Sequence, residues 1–224
     1  MAPEMTATIA QWTIATLLER LADPRDPSGG GVLAAVTLAG ASSTARMVVA
    51  VEGKRAARDP DRTHAFATAE AALARLTSCF LQQAEEDRTV LAQLLAVLRA
   101  ARKSGSGTAS DDVRLAALAA AECPLATATA GLELLRQLMA VAPLCSAFVA
   151  SDLGASGQLA RAAILAASLM AQANLPLLDQ PARGRIAAQI RSIQAEADAL
   201  ANELSRALPF AGTDQGESDA RPST

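Results

Sequence analysis

The chain has 224 residues and a formal net charge of −3; 51% of it is hydrophobic, mostly alanine, leucine and valine, and 2% is aromatic, with no tyrosine. That length suits one domain, and a composition rich in Ala and Leu but poor in the aromatics that strands prefer excludes a β-sandwich and points to an all-α protein. Scattered positive charge without interleaved aromatics excludes a nucleic-acid surface, and three widely spaced cysteines (Cys79, Cys123, Cys145) with the single His64 exclude a metal centre or a disulfide framework.

In chain order the sequence predicts an antiparallel bundle of about six helices, one or two of them kinked. The first covers about Thr13 to Ala22, with Trp12, Leu17, Leu18 and Leu21 on or near one face. It stops at Asp23-Pro24, because the residue before a proline avoids helical dihedrals. The second starts at about Gly31, behind Gly29-Gly30, and runs to Val51 or slightly beyond. Asp59-Pro60-Asp61 carries helix-starting chemistry, and a long third helix follows from about Asp61 to Arg102, with His64 exposed in its first turn. Lys103 to Gly107 reads as a flexible loop. Ser110 caps a fourth helix, with Asp111 and Asp112 in the first turn, where the dipole favours them. Pro124 kinks or breaks that helix on its way to about Ala142. The fifth runs from Ser151-Asp152 to about Ala173, and the sixth from Pro181 to near Leu208. Residues 1–208 form a single domain without internal repeats or strands, and 209–224, rich in Gly, Asp, Ser, Pro and Thr, read as a disordered tail.

Two stretches, Pro27 to Ala45 and Ala162 to Leu178, carry no charge and are nearly long enough to cross a bilayer. The first is loaded with Gly, Ser and Thr, and the second carries Gln172, Asn174 and Pro176. Close helix–helix contact in a soluble bundle is therefore the simpler account. Glu4 and a polar Thr/Gln run interrupt the first residues, so no signal peptide is expected. The cysteines read as small buried side chains in a reducing cytoplasm.

Some residues sit where packing alone would not put them. The third helix has an apolar stripe of Leu73, Leu76, Phe80, Ala84, Leu91, Leu94 and Leu98, and Asp87 belongs to it by angle. A carboxylate on an apolar face is costly unless compensated. Asp87 is thus either an acid, base or ligand anchor, or one half of a structural ion pair or water-lined gap. On the second helix Leu33, Val36, Gly40, Ser43, Met47 and Val51 form one stripe that Lys54 continues; Lys54 also falls in the last turn, where a cation complements the dipole. Gly29-Gly30-Gly31 ends at a helix N-terminus, where bare N–H groups suit an anion or a flat ligand, or simply form a turn. Ser151-Asp152 reads as a helix start or cap and Asn174 as a C-terminal cap, with a binding role open for each.

These residues form an ordered series: Pro27-Ser28-Gly29-Gly30-Gly31, Gly53-Lys54, Glu86-Asp87, Glu122-Cys123-Pro124-Leu125, Ser151-Asp152-Leu153-Gly154 and Ala173-Asn174-Leu175. The series resembles the cyclodeaminase/cyclohydrolase family of folate enzymes, over roughly Trp12 to Leu208. The resemblance implies a homodimer of all-helical subunits, a tetrahydrofolate derivative as substrate, no tightly bound cofactor and no metal. It further implies one of two reactions. A cyclohydrolase interconverts 5,10-methenyltetrahydrofolate and 10-formyltetrahydrofolate; a cyclodeaminase makes the methenyl form from 5-formiminotetrahydrofolate with loss of ammonia. By position, Asp87, Lys54 and Asp152 correspond to catalytic residues, and Ser28, Gly29, Gly30, Gly31, Ser151 and Asn174 to substrate contacts. Asp87 would stabilise the cationic amidinium carbon or take a proton from water. Lys54 would hold Asp87 ionised or bind a folate carboxylate, and the glycine loop would pass the flat pterin.

Two departures stand out. Ala50-Val51-Glu52 replaces an Asn-Leu-Thr-like stretch, and Cys145-Ser146-Ala147-Phe148 replaces an Asn-rich turn whose amides suit pterin edges. They motivate an alternative: a diverged homologue, either a binding scaffold or an enzyme for another cyclic amidine or one-carbon adduct.

Overall fold

The computed structural model describes residues 7–105, 107 and 110–208. Six helices account for most of them: α1 (Ile14–Ala22), α2 (Gly30–Arg55), α3 (Pro60–Ser104), α4 (Asp111–Val141), α5 (Ala150–Ala173) and α6 (Gln180–Ala207). Three short 3-10 turns lie at Ile9–Gln11, Ala142–Leu144 and Leu175–Leu177. The expected all-α bundle is thus what forms, and no strand occurs among the described residues. The expected tail, 209–224, lies outside them.

The helix ends follow local chemistry. Thr13, Asp59, Ser110 and Asp179 each accept a hydrogen bond from a first-turn N–H with the side chain, capping α1, α3, α4 and α6. Gly105 closes α3 at φ +75°, a left-handed conformation that glycine adopts without steric cost. The fifth helix starts earlier than expected: Val149 is its cap, so Ser151 and Asp152 lie inside its first turn.

α2 packs between α3 and α5. It runs antiparallel to α3, as Gly31 against Asp87, Ser42 against Leu73, Arg46 against Glu70 and Gly53 against Phe66 show. It is also antiparallel to α5, with Gly30 against Met170 at its start. α4 lies behind it, where Leu38 and Ile164 both pack on the bare backbone of Gly131. Among the described residues Phe66 and Phe80 are the fully buried aromatics, and the rest of the core is built mainly from Ala, Leu, Val and Ile. Short side chains bring the helix axes close, and each buried Leu or Ile contributes about 1.5–3 kcal/mol of apolar transfer.

α4 continues through Pro124 without a break. Proline lacks the N–H that would bond to the carbonyl four residues back, at Ala120. Asn174 supplies the donor: its Nδ2 bonds to Ala120 O and to Met170 O, each at 3.0 Å. The proline is tolerated because a side chain from the end of α5 replaces the lost bond.

Candidate functional site

The residues singled out in the sequence divide between the two ends of α2. At its N-terminal end the loop from Asp23 to Gly29 is held in place. Asp26 pairs with Arg20 at 2.9 Å and with Arg88 at 3.6 Å, and both guanidiniums lie over the Trp12 ring. Asp26 Oδ1 also accepts the N–H of the buried Ser28 at 2.8 Å. This network orders the loop that leads into the glycines.

Asp87 reaches this end of α2 from the buried seventh-residue series Phe66, Leu73, Phe80, Leu94 and Ala101 of α3. Its carboxyl lies against Gly31 and accepts the N–H of Val32, in the first turn of α2. Burial, only partly offset by that bond, pushes it from 3.8 up to about 6. No ion pair to Asp87 occurs among the described residues. Cys123 of α4 sits close enough that burial, with the Asp87 and Glu86 charges, pushes its thiol up to about 12.

The glycines admit protein side chains. A Cβ on Gly31 would collide with Asp87 Oδ1, and one on Gly30 would lie 2.7 Å from Met170 Sδ. Only Gly29 has room, its nearest neighbour being Leu91 Cδ2 at 3.9 Å. Gly30 and Gly31 are thus each met by a side chain of a neighbouring helix, and Gly29 is the one of the three with space beside it. Asn174 stands nearby, with both amide hydrogens engaged in the Ala120 and Met170 bonds.

Lys54, Ser151 and Asp152 are elsewhere. Lys54 is exposed in the last turn of α2, roughly 36 Å along the helix from Gly30. Within one chain it neither pairs with Asp87 nor holds it ionised, which corrects that expectation. Ser151, exposed, and Asp152, half-buried, begin α5 at this same far end, because α5 runs back along α2.

That far end holds a cluster that sequence reasoning missed. Glu52 is a carboxylate with 2% of its side chain exposed. Its Oε1 accepts from Ser146 Oγ at 2.7 Å and Arg55 Nη1 at 3.2 Å, and Arg62 Nη2 stands 3.8 Å from Oε2. Arg55 also donates to Ser146 Oγ at 2.8 Å and lies over the exposed Phe148 ring. Burial and the Glu52 charge push the Cys145 thiol up to about 11. The signal was present: Leu38, Ala45 and Glu52 recur every seven residues on the buried face of α2.

A groove of about 920 Å³ runs beside α4 and α6, crossed by the Arg136–Glu196 and Arg185–Glu122 pairs at 2.6 and 2.7 Å; Asp87 is not among its lining residues. Among the described residues no group of three or more His, Cys, Asp or Glu is placed to hold a metal ion. Three helices, Gly30–Arg55, Asp111–Leu144 and Ala150–Leu177, are long and apolar enough to cross a membrane by length and composition.

A bundle of six helices, in which a half-buried carboxyl meets the N-terminus of the apolar α2, has the fold of the cyclodeaminases. The structure is similar to the crystal structure of formiminotetrahydrofolate cyclodeaminase from Thermotoga maritima, with a TM-score of 0.79 at 16% identity, covering 89% of this chain and 97% of that one. The formiminotransferase-cyclodeaminase family model matches residues 13–204, and the chain belongs to that family. No curated protein matches it.

Proposed function

We propose that the chain is a cytoplasmic, homodimeric folate enzyme of one-carbon metabolism, of the cyclodeaminase or cyclohydrolase type. Asp87 carries the reading: a half-buried carboxyl, set against bare glycine backbone, that titrates near 6. A group poised there exchanges protons in either direction near neutrality. In the hydrolytic direction water adds to the methenyl carbon and the N5–carbon bond opens. The formyl group stays on N10, and ionised Asp87 takes the released proton. In the deaminating direction N10 attacks the formimino carbon and the bond to its amino nitrogen breaks. Protonated Asp87 supplies the proton that leaves with ammonia. Family membership and the shared fold support this reading.

The test is spectroscopic. The near-ultraviolet absorbance of methenyltetrahydrofolate should decay faster with the protein than with Asp87→Ala, and 5-formiminotetrahydrofolate should release ammonia only if the deaminase direction operates. A second reading, a homologue diverged toward another ligand, is favoured by one observation. The two departures from the family pattern meet in space, since Ser146 hydrogen-bonds Glu52. Absence of both turnover and any thermal shift with folates would select it.

A further inference from the structure

Three polar side chains are buried in the core about one helical turn beneath Asp87: Gln83 of α3, 9% exposed, Thr127 of α4, 2%, and Ser168 of α5, 0%. Among the described residues neither Gln83 Oε1 nor Ser168 Oγ has a hydrogen-bond partner. Thr127 Oγ1 makes one long bond, to the carbonyl of Cys123 at 3.3 Å. A buried polar atom left unpaired lowers stability, and two in one core call for a common cause.

The helix registers set the three at one level. Between α4 and α5, Ala120 meets Asn174 and Gly131 meets Ile164, which places Thr127 opposite Ser168. α2 and α4 both run antiparallel to α5 and so lie parallel; Leu38 packs on Gly131, and one turn earlier on each helix Ala34 comes level with Thr127. The contact of Gly31 with Asp87 then brings Ala34 level with Gln83. Gln83 precedes Asp87 by four residues and shares the face by which Asp87 reaches α2, while Thr127 and Ser168 share the faces by which Gly131 and Ile164 meet. The α2 residue at this level, Ala34, is buried and carries only a methyl group. The Asp87 side chain, like every helical side chain, tilts back along its helix, here toward Gln83.

We propose that Gln83, Thr127 and Ser168 bind an ordered water molecule inside the bundle, and that Gln83 is a positioning residue through which this water supports the Asp87 carboxyl. The hydrogen-bond inventory closes around one water. It donates to Gln83 Oε1 and to Thr127 Oγ1, whose own proton goes to the Cys123 carbonyl, and it accepts from Ser168 Oγ. Three bonds is about the usual number for a buried water. With its carbonyl end fixed from below, Gln83 turns its NH2 end toward Asp87, and a fixed donor favours the ionised carboxyl. The charged groups around Asp87 are otherwise engaged or distant. α2 carries no charge before Arg46, and α5 none after Arg161. On α4 Cys123 faces Asp87 as a neutral thiol, and Glu122 is tied to Arg185 at 2.7 Å. On α3 Glu85 accepts the Ile9 N–H, Glu86 is bonded to Gln82 at 2.8 Å, and Arg88 stands 3.6 Å from Asp26. The inference is independent of the folate reading, because none of its readouts needs turnover.

A crystal structure of the native chain tests the site. It should show a water within about 3.2 Å of both Gln83 Oε1 and Ser168 Oγ; a dry layer, or a direct bond between the two side chains, overturns the proposal. Urea denaturation tests it in solution. Gln83→Met and Ser168→Ala each strand the remaining partners, so each should lower the midpoint, and the double variant should lower it by less than the sum of the two. Raised midpoints, as expected of polar atoms that never had a partner, or strictly additive losses, overturn it. The positioning role is read from Asp87 itself, by NMR titration of its 13C-labelled carboxyl, assigned by its loss in Asp87→Asn. Gln83→Met should strengthen proton binding there about threefold, moving the titration up by about half a pH unit, while Glu52→Gln at the far end of α2 leaves it in place. An unmoved Asp87 titration in Gln83→Met overturns the positioning role. If Gln83→Met does not fold, Ser168→Ala takes its place, and the same upward movement or its absence decides.

Discussion

The carboxyl group of Asp87 fills the space that a side chain on Gly31 would need, and it accepts the N–H of the next residue, Val32. The glycine is therefore required by a contact from another helix. Gly31→Ala should push Asp87 off the α2 terminus, abolish turnover and cost about 1–3 kcal/mol through overpacking. Gly184→Ala is the control. Nothing lies within 4 Å of a Cβ there, and α6 is helical through it, so alanine should stabilise by about 0.5–1 kcal/mol. Urea denaturation of both variants checks the pair, and a neutral Gly31→Ala would refute the contact.

Burial raises Asp87 from 3.8 to about 6, so the folded chain keeps a proton there that the unfolded chain has already released. The associated stability is fully present below about pH 4 and is lost as pH climbs to about 6, by up to about 3 kcal/mol. Turnover that needs the carboxylate should move the opposite way and rise through the same window. Asp87→Asn should flatten the difference in stability between pH 4 and 7. Parallel slopes for the two proteins would show that another group dominates.

Asp87 was legible in the sequence because α3 has a clear apolar series against which one carboxylate stands out. α2 was not legible in the same way. With Ala, Val, Leu, Ser and Thr on every side, its composition does not distinguish the face that is buried from the face that is not. The stripe from Leu33 to Val51 is largely the outward one, and the buried series Leu38, Ala45 and Glu52 runs beside it. The helices were legible because caps and prolines act locally. The separation of Lys54 from Asp87 was not, since it follows from the length of α2 rather than from any motif. Nor was the bond from Asn174 to Ala120, since it depends on a carbonyl 54 residues away in sequence.

That carbonyl gives a coupled prediction. Asn174→Ala leaves Ala120 O without a donor beneath Pro124 and should cost about 1–3 kcal/mol. Pro124→Ala restores a backbone N–H to the same carbonyl. In the Pro124→Ala background the cost of Asn174→Ala should therefore shrink, giving a coupling energy of roughly 0.5–2 kcal/mol in a double-mutant cycle. Strict additivity would mean that the side chain does not substitute for the missing bond.

Glu52 offers the clearest contrast between buried and surface charge. Its carboxylate is shielded, while Arg55 and Arg62 keep 47% and 42% of their side chains exposed. Glu52→Gln keeps the shape and removes the charge. The two guanidiniums then turn to water rather than remain buried, so the cost should be about 1–3 kcal/mol, below that of breaking a fully buried pair. Ser146→Ala removes one acceptor and one donor and should cost about 1 kcal/mol. Because Glu52 is out of solvent, molar salt should leave its penalty almost unchanged, whereas the exposed Arg185–Glu122 pair at 2.7 Å should lose most of its small contribution. Equal salt sensitivity of the Glu52→Gln and Glu122→Gln penalties would show that the far end of α2 is open to ions, and that its carboxylate is held by solvent-exposed pairing rather than by burial.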